Sequence, residues 1–424
     1  MHKVNEENFW WKNIVIYEAY VDKFAGTFRE FLAKLDYLEK LGITCLHLLP
    51  FFPSPMIDDG YDVSDYKNVR PDLGTLKDAE TLFEAAHKRG IRILIDLVLN
   101  HTSTSHPWFL EARSSRVNPW RDFYLWSKDD RKFSQASNPF SHLEPRNWIH
   151  NPLTNDYYFA SFYAAQADLN WDNPRVLEEI CDVMDFWINL GVDAFRLDAA
   201  SHLVKREGTP SKSLPETHAI LKKLRSELER KSVEAALLAE VSGPVERVRT
   251  YFGNGDECHL VYNFSLAAHA FLALLRKTHE AVEKDMEESK FIPTNCQWVT
   301  FLRNHDDLSL AMLSHKEKGE LLTTFDPAKI HRFGNDVGLS MRLASIFHEE
   351  KTRILEAFRL LFSFPGNPVI YYGDEIGMSD APIPPMERDT RRCVRGNFDW
   401  DRAERELDDP SSLFHSISSL VKNR

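Results

Sequence analysis

Eight short apolar runs recur along the chain, at 14–19, 44–49, 91–98, 192–197, 235–239, 260–264, 298–302 and 368–372, most of them without polar alternation. A strand with one wet face alternates apolar and polar side chains, so runs of this kind predict strands covered on both faces. Amphipathic stretches of helical period lie between them. The clearest, 28–41 and 76–89, each end at a glycine suited to a helix C-cap, Gly42 or Gly90. Strand and helix alternating from end to end predict parallel β/α units, and eight such units predict an α/β fold, the (β/α)8 TIM barrel.

Two connections are too long for plain barrel loops. Residues 102–167 are rich in Trp, Tyr, Phe, Asn, Ser and Pro with little periodicity, and they predict an inserted subdomain after strand three. The domain expectation is a barrel made of 1–101 and 168–424, with 102–167 as domain B. The second long connection, about 303–350, follows strand seven on the same face of the barrel. A proline-rich loop through Pro382, Pro384 and Pro385 leads to a last helix at 411–422, and no β-sandwich pattern follows it. That helix carries Leu413, Phe414, Ile417, Leu420 and Val421. An uncovered apolar stripe there predicts a homodimer, or a monomer prone to aggregate.

Composition narrows the partners. The chain has 424 residues and a formal net charge of -12, with no Lys/Arg stripe, which argues against nucleic acid. No run approaches the ~18 apolar residues of a membrane span, and the polar start MHKVNEENFWWKN lacks a signal-peptide pattern. The expectation is a cytoplasmic protein. Five cysteines, widely spaced and in no C-x-x-C pair, predict reduced thiols rather than a disulfide framework or a zinc site. No cofactor and no metal are expected.

The candidate chemistry sits where the apolar runs stop. Asp96 with Asn100 and His101, Arg196 with Asp198, Glu240, and His305 with Asp306 end strands three, four, five and seven. Parallel strands bring all these ends to one face, the face on which barrel enzymes work. One such acid alone is more often a cap or a buried ion pair. Three in similar contexts point to one site, and a pair of carboxyl groups, one ionised and one protonated, is the minimum equipment for cleaving a glycosidic bond with retention.

The segments Gly60-Tyr61-Asp62-Val63-Ser64-Asp65-Tyr66, Asp96-Leu97-Val98-Leu99-Asn100-His101, Gly191 to Asp198, Ala239-Glu240, Asn304-His305-Asp306 and Gly366 to Glu375 resemble those of the α-amylase superfamily of retaining glycoside hydrolases and transglycosylases, glycoside hydrolase family 13. Gln166-Ala167-Asp168-Leu169-Asn170 is similar to the Q-P-D-L-N signature of the branch acting on small α-glucosides, with Ala167 in place of proline. Arg206-Glu207-Gly208-Thr209, Leu214 to His218, and Tyr251 to His259 look most like the trehalose synthase branch, which isomerises maltose and trehalose.

The resemblance implies roles. Asp198 would be the nucleophile, oriented by Arg196, and Glu240 the acid/base, its apolar neighbours Leu237, Leu238, Ala239 and Val241 favouring the protonated form. Asp306, with His305, would bind hydroxyls and favour the distorted ring. His101 would reach another hydroxyl, Tyr61 would face the sugar, Gln166 would belong to the substrate site, and Asp62 would pair with Arg395 to close the first pocket. His202 falls near an amylase subsite, where packing is an equal reading. Trp108, Trp120, Phe123, Tyr124 and Trp126 read as a subdomain core more readily than as sugar platforms. The calcium loop of small α-glucosidases is missing, because Tyr20 to Gly26 runs straight into a helix, and Arg388 to Trp400 departs from the branch pattern. The leading expectation is glucosyl transfer on a small α-glucoside or oligosaccharide. Hydrolysis by an α-glucosidase or α-amylase is the alternative, and a non-catalytic binding relative is disfavoured because all three acids are kept.

Overall fold

The computed structural model describes residues 9–384 and 387–424; residues 1–8 and, in the proline-rich loop, Pro385 and Met386 lie outside them. All eight expected strands form. We label them β1 (Ile16–Ala19), β2 (Cys45–Leu48), β3 (Arg92–Val98), β4 (Ala194–Asp198), β5 (Ala236–Ala239), β6 (Leu260–Tyr262), β7 (Gln297–Phe301) and β8 (Asn367–Tyr371). They close into one barrel in the order β1-β8-β7-β6-β5-β4-β3-β2, every pairing parallel. Almost every strand residue is buried, as the unbroken apolar runs required.

The helices cover the outside, with two departures from expectation. The stretch 28–41 is not one helix but two, Phe28–Leu32 and Leu35–Leu41, because the chain tightens at Ala33 and Lys34, where backbone N–H groups turn back to Phe31. The break lets Phe28 and Phe31 bury along with Leu35, Leu38 and Leu41. Gly42 caps the second helix in the left-handed region, φ 96°. Helix Leu76–His87 starts on a Thr75/Asp78 capping box and ends with Lys88 as its C-cap, so Gly90 lies beyond the cap rather than at it.

Between β3 and β4, strand His101–Ser103 pairs antiparallel with Gln166–Asp168, His101 opposite Asp168, at the two ends of the stretch expected as an insertion. Within it, Trp126–Ser127, Asp156–Phe159 and Trp148–Asn151 form a small antiparallel sheet over Phe133, Trp148 and Phe159. Trp108 stacks on Trp120 at 5.7 Å and meets Phe123, while Phe109 meets Tyr124 and Trp126. These rings spend their faces on one another. Among the described residues no strand follows β8, and no helix is long and apolar enough to cross a membrane.

The last helix, Leu413–Lys422, removes the uncovered stripe on which the homodimer expectation rested. Leu413, Phe414, Ile417 and Val421 are at most 5% exposed and Leu420 is partly buried against the same core. Phe414 packs on Tyr37 of helix Leu35–Leu41, and Ser418 Oγ donates to the Lys40 carbonyl. The stripe is covered within the chain, so it supplies no reason for pairing. Phe414→Ala should therefore cost about 3–5 kcal/mol of unfolding free energy, measured by urea titration. A loss within ~0.5 kcal/mol, as for an exposed side chain, would show that the ring does not carry this contact.

Candidate active site

The top of the barrel is filled not by apolar layers but by charge. Register sets this up: Glu18 on β1 is level with His47 on β2, and Asp96 on β3 is level with Arg196 on β4. All four are at most 1% exposed. His47 bridges the two acids, Nδ1 to Glu18 at 3.2 Å and Nε2 to Asp96 at 2.8 Å. Arg196 then holds Asp96, Asp198 (Nη1 to Oδ1, 2.6 Å) and Glu240 (Nη2 to Oε1, 3.0 Å) with one guanidinium. Burial opposes its charge, yet the surrounding carboxylates outweigh burial and raise its hold on the proton.

Asp198 and Glu240 are thus brought together at the mouth of the barrel. Burial pushes the Asp198 carboxyl up, against the pull of Arg196, and the charges of Glu240, Asp96 and Asp306 add to the push. Ala199, the next residue, sits in the left-handed region (φ 46°) and donates its N–H to Glu240 Oε2 at 2.9 Å. A non-glycine residue there costs roughly 1–2 kcal/mol; here it orients the second carboxyl. The apolar neighbours of Glu240 do not surround its head group as expected. Leu237, Leu238, Ala239 and Val241 are turned into the core, and the carboxyl faces Arg196 and Ala199.

A second chain of charge starts from Glu18. His305 donates through Nδ1 to Glu18 Oε1 at 2.9 Å and lies 2.7 Å from Tyr61 Oη through Nε2. Burial alone would lower the imidazole, but Asp306 and Glu18 outweigh it and raise it to about 9, so both nitrogens carry protons near neutrality. Asp306 is held well below the usual carboxylate range: burial raises it, and His305, Arg391 and Arg395 overcome that. Its Oδ1 takes Arg391 at 3.0 Å and Arg395 at 2.7 Å.

The expected Asp62–Arg395 pair is not formed. Asp62 accepts from Ser54 Oγ and the N–H groups of Ile57 and Asp58, and so ties down the turn that contains Met56, Asp59 and Gly60 at positive φ. That turn presents Asp58 to Arg391 at 2.8 Å and Asp59 to Arg395 at 2.6 Å. The pocket is closed by these two pairs instead.

These groups meet at a cavity of about 550 Å³. Tyr61, His101, Asp198, Glu240 and Asp306, all expected from sequence, line it, as does His202, whose Nε2 has no partner. His101 is buried, which drives its imidazole down to about 4 and leaves it neutral. Gln166, Arg196, His305, Asp62 and Arg395 lie behind that surface. Gln166 is the clearest correction, since its amide is used on Asp58 and on the Tyr163 N–H, so it supports Asp58 rather than facing the cavity. Sequence reasoning missed Asp58, Arg391, Asp307, Lys212, Phe140, Phe162 and Phe333 as lining residues. Only Arg391 had a signal, as an alternative cation in the Arg388 to Trp400 stretch. The rest come from loops whose approach no local pattern encodes.

Comparison with known proteins places this architecture. The family described as "Alpha amylase, catalytic domain" matches residues 13–411, and the chain belongs to it. The trehalose synthase/amylase of Mycobacterium tuberculosis (strain ATCC 25618 / H37Rv) is 42% identical over 383 residues, covering 88% of this chain and 63% of the relative. The trehalose synthase of Pimelobacter sp. (strain R48) is 39% identical over an alignment of 463 residues, covering 99% of this chain and 80% of the relative. Among solved structures, an α-amylase from H. orenii is similar with a TM-score of 0.77 and 28% identity, covering 97% of this chain and 82% of that one. The chain spans 63–64% of the length of its mycobacterial relatives.

The charged top has a pH signature. His305 binds its proton more tightly when folded, at about 9, than when unfolded, at ~6.5. Its contribution to stability is fully present below pH ~6.5 and is lost as pH rises through about 9. In urea titrations the stability advantage of wild type over His305→Gln should shrink steadily across that window. An advantage unchanged from pH 6.5 to 9.5 would mean that the imidazole is not charged in the fold.

Proposed function

We propose that this chain is a retaining α-glucoside-active enzyme of the trehalose synthase type, transferring a glucosyl group within a small disaccharide such as maltose or trehalose. The observation that carries the reading is the shared guanidinium: Arg196 holds Asp198 and Glu240 together at a cavity whose inner end is closed by Asp58–Arg391 and Asp59–Arg395. Asp198 attacks the anomeric carbon as a carboxylate, the form that Arg196 favours and that burial opposes. Glu240 gives a proton to the leaving oxygen. The freed glucose then turns within the cavity and attacks the glucosyl-enzyme through a different hydroxyl, with Glu240 taking that proton back.

Transfer rather than hydrolysis requires that water be kept from the intermediate. Phe140 of the insertion meets Phe333 of the loop after β7 at 5.5 Å and Phe162 at 5.3 Å, and Arg388 donates to the His142 carbonyl. These contacts draw the cavity walls together over the site and support the transfer reading. Names of relatives agree with it: several are trehalose synthases, and the mycobacterial ones are named both trehalose synthase and amylase. A cytoplasmic setting is part of the proposal and rests on five cysteines without a disulfide among them.

Asp198→Asn should keep the fold and lower turnover on the order of 10³-fold or more; near-wild-type turnover in purified variant would remove it from the nucleophile role. Glu240→Gln should slow turnover of maltose by ~10²–10⁴-fold, yet spare the first step with a 4-nitrophenyl α-glucoside, whose leaving group needs no proton. Equal damage on both substrates would exclude an acid role.

A pocket closed behind a terminal glucose predicts faster action on maltose or trehalose than on soluble starch, per unit enzyme. Incubated with maltose, the enzyme should yield trehalose in excess of free glucose. Glucose alone would favour the hydrolase reading, and rapid loss of starch–iodine colour with little glucose would favour an amylase.

A further inference from the structure

We propose that His331, Asp380 and Cys393 form a binding site for a divalent transition metal, best suited to Zn²⁺, in the wall beside the cavity. The three residues come from separate segments. His331 precedes the short strand Arg332–Phe333, Asp380 lies in the loop after β8, and Cys393 sits in the 3-10 helix Thr390–Val394. No spacing along the chain links them, and the fold alone makes them neighbours.

The geometry is close to that of a metal centre. Cys393 Sγ is 3.6 Å from His331 Nδ1, and that nitrogen is 3.9 Å from Asp380 Oδ2; all three ligand atoms lie within 4.8 Å of one another. A tetrahedral zinc ion with bonds of ~2.0–2.3 Å sets its ligand atoms roughly 3.3–3.6 Å apart. One pair already has that spacing, and the third atom needs a rotamer adjustment of about an ångström to join them. Cys393 Sγ and His331 Nδ1 also converge on one acceptor, the Ser340 carbonyl, at 3.0 and 3.1 Å. That oxygen or a water completes four-coordination. Asp380 is held in place because its Oδ1 accepts the Arg342 N–H at 2.7 Å, which leaves Oδ2 for the site.

Ligand type selects the ion. Thiolate, imidazole and one carboxylate favour zinc or cobalt over calcium and magnesium, which prefer oxygen-only shells. Cys393 is buried, while His331 and Asp380 are partly exposed, which provides an entry path. On binding, the thiol proton leaves to solvent, and the imidazole carries its proton on Nε2. The two negative ligands balance the dication, and it is the ion that must draw off the thiol proton, because burial and Asp380 push the Cys393 thiol up against the pull of Arg303 and Arg342.

Position gives the site a consequence. The segment that follows His331 supplies Phe333, Asn335 and Val337 to the cavity wall, and Cys393 lies between Arg391 and Arg395. An ion held by all three ligands would fasten that wall to the segment that closes the inner end of the pocket.

The test uses Co²⁺ as a probe on chelator-treated full-length protein. Wild type should bind one equivalent with the near-ultraviolet thiolate-to-cobalt absorption and the visible bands of a tetrahedral site, both displaced by Zn²⁺. Cys393→Ser should lose the near-ultraviolet band, His331→Gln and Asp380→Asn should each weaken Co²⁺ binding by at least ~10-fold, and Cys181→Ser should change nothing. Zn²⁺ should raise the melting temperature of wild type and leave that of Cys393→Ser unmoved. If Cys393→Ser fails to fold, the other two variants decide the question. Absence of the thiolate band in wild type, a band that survives in Cys393→Ser, or Co²⁺ affinity unchanged in both other ligand variants would overturn the site.

Discussion

Everything at the top of this barrel depends on one buried cation. Arg196 is 1% exposed and holds three carboxyl groups, on β3, at the end of β4 and just after β5. Removing one partner from such a buried set leaves uncompensated charge, at a cost of about 3–5 kcal/mol, so the acids and the guanidinium require one another. Because Arg196 and Asp198 are two residues apart, they point to the same side of β4, and the strand delivers both the charge and its partner to the cavity.

The network continues in both directions without a neutral break. His47 links Asp96 to Glu18, Glu18 holds His305, and His305 contacts both Tyr61 and Asp306, which in turn meets Arg391 and Arg395. Tyr61, like Glu18, touches both branches, with its hydroxyl 3.2 Å from Arg196 and 2.7 Å from His305, while its ring stacks on that imidazole. Such a scaffold fixes the orientation of Asp198, Glu240 and Asp306 before any ligand enters, which is what a site gains from rigid supporting residues.

The strands were legible from sequence because strands buried on both faces leave unbroken apolar runs, and the observed ends differ from the expected ones by at most two residues. The acids were legible for the complementary reason: each stands where such a run stops. What could not be read was which loop residues meet. Asp62 has the motif position, yet its lone pairs are used by Ser54 and two backbone N–H groups, and the turn it stabilises delivers Asp58 and Asp59 to the arginines instead. The break at Ala33 escaped notice because the apolar period runs through it, and tertiary packing of two aromatic rings decided the matter. The stripe on which the dimer expectation rested is covered for a related reason. Helical periodicity shows that a face is apolar but not what covers it, and here Tyr37 and the neighbouring core do.

The same distinction separates chemistry from outcome at the cavity. In the proposed reaction bond cleavage would rest on strand-borne groups that the barrel holds rigidly, whereas the fate of the intermediate would rest on the walls, built from 137–141, Phe162, and 333–337 after β7. The walls meet through ring contacts between Phe140, Phe162 and Phe333, and Arg391 lies 4.6 Å from the first ring and 4.9 Å from the last. Arg391 therefore belongs to both parts: it closes the pocket through Asp58 and Asp306, and it supports the aromatic roof above. Loosening the roof would disturb these pairs, so in the proposed transfer retention of the leaving sugar and positioning of the reacting one would be linked through a single side chain.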